Sequence, residues 1–210
     1  MPQVTTSEAT AISRRNALKA GAASMALALT FGAHIGPKAL QELARLAEGK
    51  PMTGARLATI LQTERARWNA LLAEIGADRM ELPGVEGEWS VKQIVAHLTW
   101  YERAIVEGAQ GVASGGRFTR RRPEGVGLDD WNAQLAAESR ERPVADVLAE
   151  ADQVFAQLVT IITACPDSML NDAERLGLPN DIPPWMRVAN NSYAHYREHE
   201  QAISAWLARQ

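Results

Sequence analysis

The chain has 210 residues, 46% of them apolar, with 22 basic and 25 acidic residues spread along its length for a formal net charge of −3, and a single cysteine, Cys165. That is ample apolar material for one sizeable core. An even charge balance gives no electrostatic footprint for nucleic acid or for an anionic membrane surface, so neither is expected as a partner; one thiol permits neither an intramolecular disulfide nor a thiolate metal cluster.

Residues 1–50 read as a segment apart from the fold, and residues 52–210 as one domain. A polar start leads to "SRRNALKAG" and then to "AASMALALTFGAHIG", an apolar run too short and too mild to span a membrane. No stable membrane insertion is expected. The stretch resembles a twin-arginine export signal through Ser13, Arg14, Arg15, Leu18 and Lys19, with Ala17 where a bulkier apolar residue is usual and no clean cleavage site following. Export to the periplasm is therefore the expectation, with a cytoplasmic protein starting at Met52 as the alternative. His34 falls in this segment and drops out of the site accounting.

From Met52 onward the pattern is helical. Leu57, Ile60, Leu61, Trp68, Leu71, Leu72 and Ile75 recur at helical spacing, and Gly76 ends that run. The second helix opens in "EGEWSVKQIVAHLTWYERAIVEG", where Ser90 and Gln93 have the spacing of a capping box. A third region comes in two pieces, "LDDWNAQLAAESRE" and "PVADVLAEADQVFAQLVTIITA", with Pro143 where a first-turn proline is tolerated. The last helix is expected to run from about Trp185 to the C-terminus. No stretch alternates with the period of a strand. Long amphipathic helices with turn-rich connections predict an all-α four-helix bundle, whose interior can hold sites built from facing helices. Two connections, residues 108–128 and 165–184, are long for a bundle, and the arginines Arg117, Arg120, Arg121 and Arg122 in the first are either a solvated loop or an attraction for an anion.

His195 and His199 lie four residues apart in "NNSYAHYREHEQAISAWL", so both imidazoles can leave one helical face. His97, on the edge of the second helix's apolar stripe, is the remaining histidine of the domain. Three neutral imidazoles can hold a divalent ion such as zinc, nickel or manganese and leave positions open for water or substrate. Glu102 and Glu198 are candidates for orienting an imidazole or acting as general base, and Tyr196 for a hydroxyl that supports a ligating imidazole or contacts substrate. Trp89, Trp100, Tyr193, Tyr196 and Trp206 either line a pocket over the histidines or pack the core; Trp68 and Trp131 are assigned to packing.

"EWSVKQIVAHLTWYE" followed by "ANNSYAHYREHEQAISAWL" resembles the DinB-like four-helix bundles, and especially their ClbS/DfsB branch, over roughly residues 53–209. The resemblance implies an up-down-down-up bundle and, in several relatives, a homodimer. It also implies a divalent metal on His97, His195 and His199. The activities it brings are diverse. They include transfer reactions using a low-molecular-weight thiol, hydrolase-like resistance functions and, as the alternative, non-catalytic binding or sequestration of a small molecule with a structural metal or none. The ClbS/DfsB branch does not uniformly keep the three histidines.

Overall fold

The computed structural model describes residues 51–115, 122–172 and 183–210. The expected export segment and the arginines Arg117, Arg120 and Arg121 lie outside them. Among the described residues there are seven α-helices and no strand beyond an isolated bridge between Glu86 and Trp89. They are α1 (Gly54–Ile75), α2 (Val91–Ala113), α3 (Leu128–Ser139), α4 (Val144–Ala164), α5 (Asp167–Asn171), α6 (Pro184–Asn190) and α7 (Tyr193–Leu207).

Side-chain pairings fix the direction of each long helix. Gly54, at the start of α1, abuts Ile162 near the end of α4, and Arg65 further along reaches back to Asp152, so these two run antiparallel. Arg103 of α2 pairs with Glu150 of α4, while Lys92 at the start of α2 bonds the carbonyls just before α4, so that pair is parallel. Glu64 and Arg67 of α1 meet Arg197 and Glu200 of α7 in the same order, which makes those parallel too. The result is up for α1, down for α2 and α4, and up for α7, the expected topology.

The caps follow the sequence. Ser90 Oγ accepts from Gln93 N and Gln93 Oε1 from Ser90 N, so both partners of the capping box are made, a device worth about 1 kcal/mol. The start of α1 is capped from outside by α5, whose Asp167 Oδ1 accepts from Gly54 N at 2.8 Å and whose Asn171 bonds the backbone of Met52 in both directions. Glycine is needed at 54 because a Cβ there would sit 2.6 Å from the Ile162 carbonyl oxygen. Among the described residues one helix, α4, is long and apolar enough to cross a membrane by length and composition. Here its stripe of Val147, Ala151, Val154, Leu158 and Ile162 is buried in the bundle core.

Three boundaries differ from expectation. α2 continues through Gly108, which is buried, to Ala113, because packing overrides the modest helix penalty of glycine. Pro143 is the N-cap of α4 rather than its first-turn residue. The expected last helix is two helices, broken at Asn191 and Ser192. Asn191 Nδ2 donates to the Arg187 carbonyl and Ser192 Oγ to the Val188 carbonyl, side-chain bonds that compete with the helical ladder. The break starts α7 afresh two residues ahead of His195 and so sets the face its histidines occupy.

Candidate metal centre

α2 and α7 bring the three histidines together. Ring nitrogens of His97, His195 and His199, one from each, all lie within 4.8 Å of one another, and all three residues are buried. His97 Nε2 and His195 Nε2 are 3.2 Å apart. Two nitrogens at adjacent corners of a zinc tetrahedron with bonds near 2.0 Å are about 3.3 Å apart.

Glu86 supplies the outer support. His199 Nδ1 donates to Glu86 Oε1 at 2.7 Å, and since a carboxylate only accepts, the proton is on Nδ1 and the lone pair on Nε2. Glu86 sits in the tight loop ahead of α2, closed by Val85 N donating to the Trp89 carbonyl at 2.9 Å and made possible by the positive φ of Gly87. The same loop places Trp89 against His97 at 5.2 Å between ring centroids. Sequence reasoning missed Glu86: it belongs to no helical period, and its partner is 113 residues away.

Burial sets the charge of the site. Desolvation, with the nearby His199 adding to it, pushes His97 down to about 3, and burial together with His97 and His199 holds His195 well below the ordinary histidine range. Both rings are neutral at pH 7, as a metal ligand must be. His97 Nδ1, His195 Nδ1 and His199 Nε2 have no hydrogen-bond partner among the described residues. The Nε2 atoms of the neutral His97 and His195 rings, 3.2 Å apart, together with the unpartnered Nε2 of His199, suit a borderline-soft divalent ion such as zinc or nickel.

Tyr196 and Glu102 stand elsewhere. Tyr196 follows His195 and so projects about 100° around the helix from it, toward α1. Its ring stacks on Trp68 at 5.3 Å, its hydroxyl donates to Glu102 Oε1, and Arg65 Nη1 donates to that hydroxyl at 3.0 Å. Glu102 is fully buried. Burial drives its carboxyl up to about 7 against the opposing pull of Arg65, 3.8 Å away, and of the Tyr196 hydrogen bond. Tyr196 is raised well above its ordinary value, first by burial and then by Glu102. Of the other aromatics, Tyr193 and Trp206 are buried in the core or at its edge, whereas Tyr101 lies edge-on to His97 and His195.

The family model of the DinB superfamily matches residues 60–201. No functionally curated protein matches the chain. Among solved structures, an uncharacterised protein from Escherichia coli UTI89 is 18% identical, with 76% of this chain and 95% of that one covered and a TM-score of 0.62. A protein from Streptococcus pneumoniae is 8% identical over 76% and 92%, with a TM-score of 0.62. The colibactin self-resistance protein ClbS, solved in complex with a double-stranded DNA, is 16% identical over 74% and 95%, with a TM-score of 0.64. This last match corrects one expectation. The exclusion of nucleic acid, argued from the even charge balance, does not stand when a protein of similar fold has been solved with a DNA duplex. A charge summed over a whole chain does not describe any one face of it.

Proposed function

This chain belongs to the DinB superfamily, and on that premise we propose that His97, His195 and His199 hold a divalent metal ion, zinc, nickel or manganese, in a site that processes a small electrophilic or hydrolysable molecule. The reaction is hydrolysis or transfer to a low-molecular-weight thiol, in a protective role. One observation carries the reading. Three buried imidazoles, those of His97 and His195 neutral at pH 7, bring ring nitrogens within 4.8 Å of one another, and His199 Nδ1 is held by Glu86 while its Nε2 has no partner among the described residues. A divalent ion bound by such ligands lowers the pKa of a coordinated water or thiol and so makes a nucleophile at neutral pH.

The remaining work falls to the protein's own residues. Glu86 fixes the tautomer and rotation of His199, and Trp89 and Tyr101 wall His97 with aromatic rings. Glu102, expected from the sequence to orient an imidazole or act as general base, and Tyr196, expected to support a ligand or contact substrate, are in this reading positioning residues. Through Arg65 they lock the rotation of α7 against α1 and so hold His195 toward His97.

Metal analysis of the full-length protein tests the reading. About one equivalent of metal is expected, lost in His195→Ala while the helical content stays. Only traces of metal in the wild type, or unchanged metal in the variant, refute it.

A second reading has its own observation, the ClbS structure in complex with a double-stranded DNA. Under it this bundle binds a duplex, with affinity that falls as salt rises because phosphate contacts release counterions. The absence of a mobility shift at low salt refutes it.

A further inference from the structure

The imidazole cluster is shut off from water. His97, His195 and His199 are 2%, 3% and 8% exposed, the Nε2 atoms of the first two face each other at 3.2 Å, and His199 Nε2 is buried. An ion or a small molecule therefore reaches these nitrogens only if something that covers them moves. Two sides come into question. On one, Tyr101 lies edge-on to His97 and His195, and its hydroxyl donates to Asn132 Oδ1 of α3 at 2.9 Å. That side is built of two packed helices, and α2 is rooted in the core by Val91, Ile94, Val95 and Leu98. On the other, the loop ahead of α2 sets Trp89 against His97 at 5.2 Å and Glu86 on His199 Nδ1 at 2.7 Å.

The ends of that loop are fixed and its tip is lightly held. Met80 is buried and its carbonyl accepts from Lys92 N at 2.9 Å, Glu81 pairs with the Lys92 ammonium, and Ser90 caps α2. Between these anchors residues 82–84, 87 and 88 face solvent. The backbone bonds of the tip close within it, Val85 N to the Trp89 carbonyl and Trp89 N to the Glu86 carbonyl, so it can lift without breaking them. Three attachments hold it down: the buried Val85 side chain, the half-buried Trp89 ring and the single hydrogen bond of Glu86 to His199. Gly84 and Gly87, both at positive φ, bracket Val85 and Glu86 and can take up the backbone rotation. Few buried contacts and an exposed backbone let a segment open while the fold around it stays closed.

We propose that residues 82–89 are the door of the histidine cluster: the loop carries Trp89 off His97 and Glu86 off His199, and admits an ion or small molecule to the ring nitrogens while α2, α3 and α7 stay in place. What passes through the door rests on the metal-site reading. The opening itself does not.

Carbethoxylation of the metal-free, full-length protein by diethyl pyrocarbonate, followed at His97 and His195 by mass spectrometry, tests the opening without an ion, because the reagent must reach a ring nitrogen to acylate it. Trp89→Ala should raise the labelling rate about three- to tenfold, the gain in open population when one aromatic contact is lost. Glu86→Ala, which cuts the bond to His199, should raise it too. Asn132→Ala, which unties Tyr101 from α3, should leave the wild-type rate. Zinc uptake from a chromophoric chelator should quicken in Trp89→Ala by the same factor, with circular dichroism showing the helices intact. Hydrogen exchange in the wild type needs no variant: the amides of Val85 and Trp89 should exchange well ahead of that of Leu98, in the middle of α2. Equal protection of the three, or labelling that responds to Asn132→Ala and not to Trp89→Ala, overturns the door. Protein that takes up zinc while labelling and uptake both ignore Trp89→Ala overturns the door alone; protein that takes up no zinc yet keeps a Trp89-dependent labelling rate overturns the metal reading alone.

Discussion

Replacing Glu86 with alanine removes the acceptor of the His199 Nδ1–H and leaves that imidazole free to rotate or to place its proton on Nε2, the nitrogen that the proposed ion would use. Carboxylates that orient a metal-bound histidine are worth about 10- to 100-fold in metal affinity. The Glu86 side chain is 34% exposed, so water can take over part of its role, and the lower end of that range applies. Metal affinity should therefore fall about tenfold, or about 1.4 kcal/mol. Glu86→Gln, whose amide oxygen still accepts, should fall between wild type and alanine. The assay is competitive zinc titration against a chelator at fixed pH, with circular dichroism to confirm that the helices persist. Equal zinc affinity in wild type and Glu86→Ala, with the fold intact, would show that the 2.7 Å bond does not orient a ligand, and the argument from second-sphere support would fail.

Two further predictions concern stability. Glu102 is raised from 4.5 to about 7, so the folded protein keeps its proton where the unfolded chain has lost it; the resulting stability is complete below pH 4.5 and is lost as the pH rises through 7. The full swing is on the order of 3 kcal/mol. Glu102→Gln should erase that slope in urea titrations of metal-free protein between pH 4.5 and 8, and an identical slope in both proteins would count against a neutral buried carboxyl. His97 and His195 act oppositely and in both proteins alike: lowered in the fold, they cost stability as the pH falls below about 6.5. Gly54→Ala puts a methyl 2.6 Å from the Ile162 carbonyl oxygen, which must move with its helix end; a loss of about 1–3 kcal/mol in denaturant melts is expected, and a change within about 0.5 kcal/mol would refute the close approach of α1 to α4.

Much of the bundle and the identity of its central histidines are legible in the sequence because both are local. The apolar stripe of α1, the Ser90–Gln93 box and the one-turn spacing of His195 and His199 are each set within a few residues of chain, where helical geometry dictates which side chains share a face. What the sequence leaves open depends on contacts between distant segments. Glu86 is an unremarkable loop acid until the loop swings it to α7, and Glu102 and Tyr196 look like neighbours of the histidines until Arg65, on another helix, draws them to the opposite side. The restart of α7 after Ser192 belongs to the same class. Periodicity fixes the face a residue occupies on its own helix, but only the packing of helices against one another decides which faces meet, and a charged or hydrogen-bonding side chain takes its role from the partner it finds there.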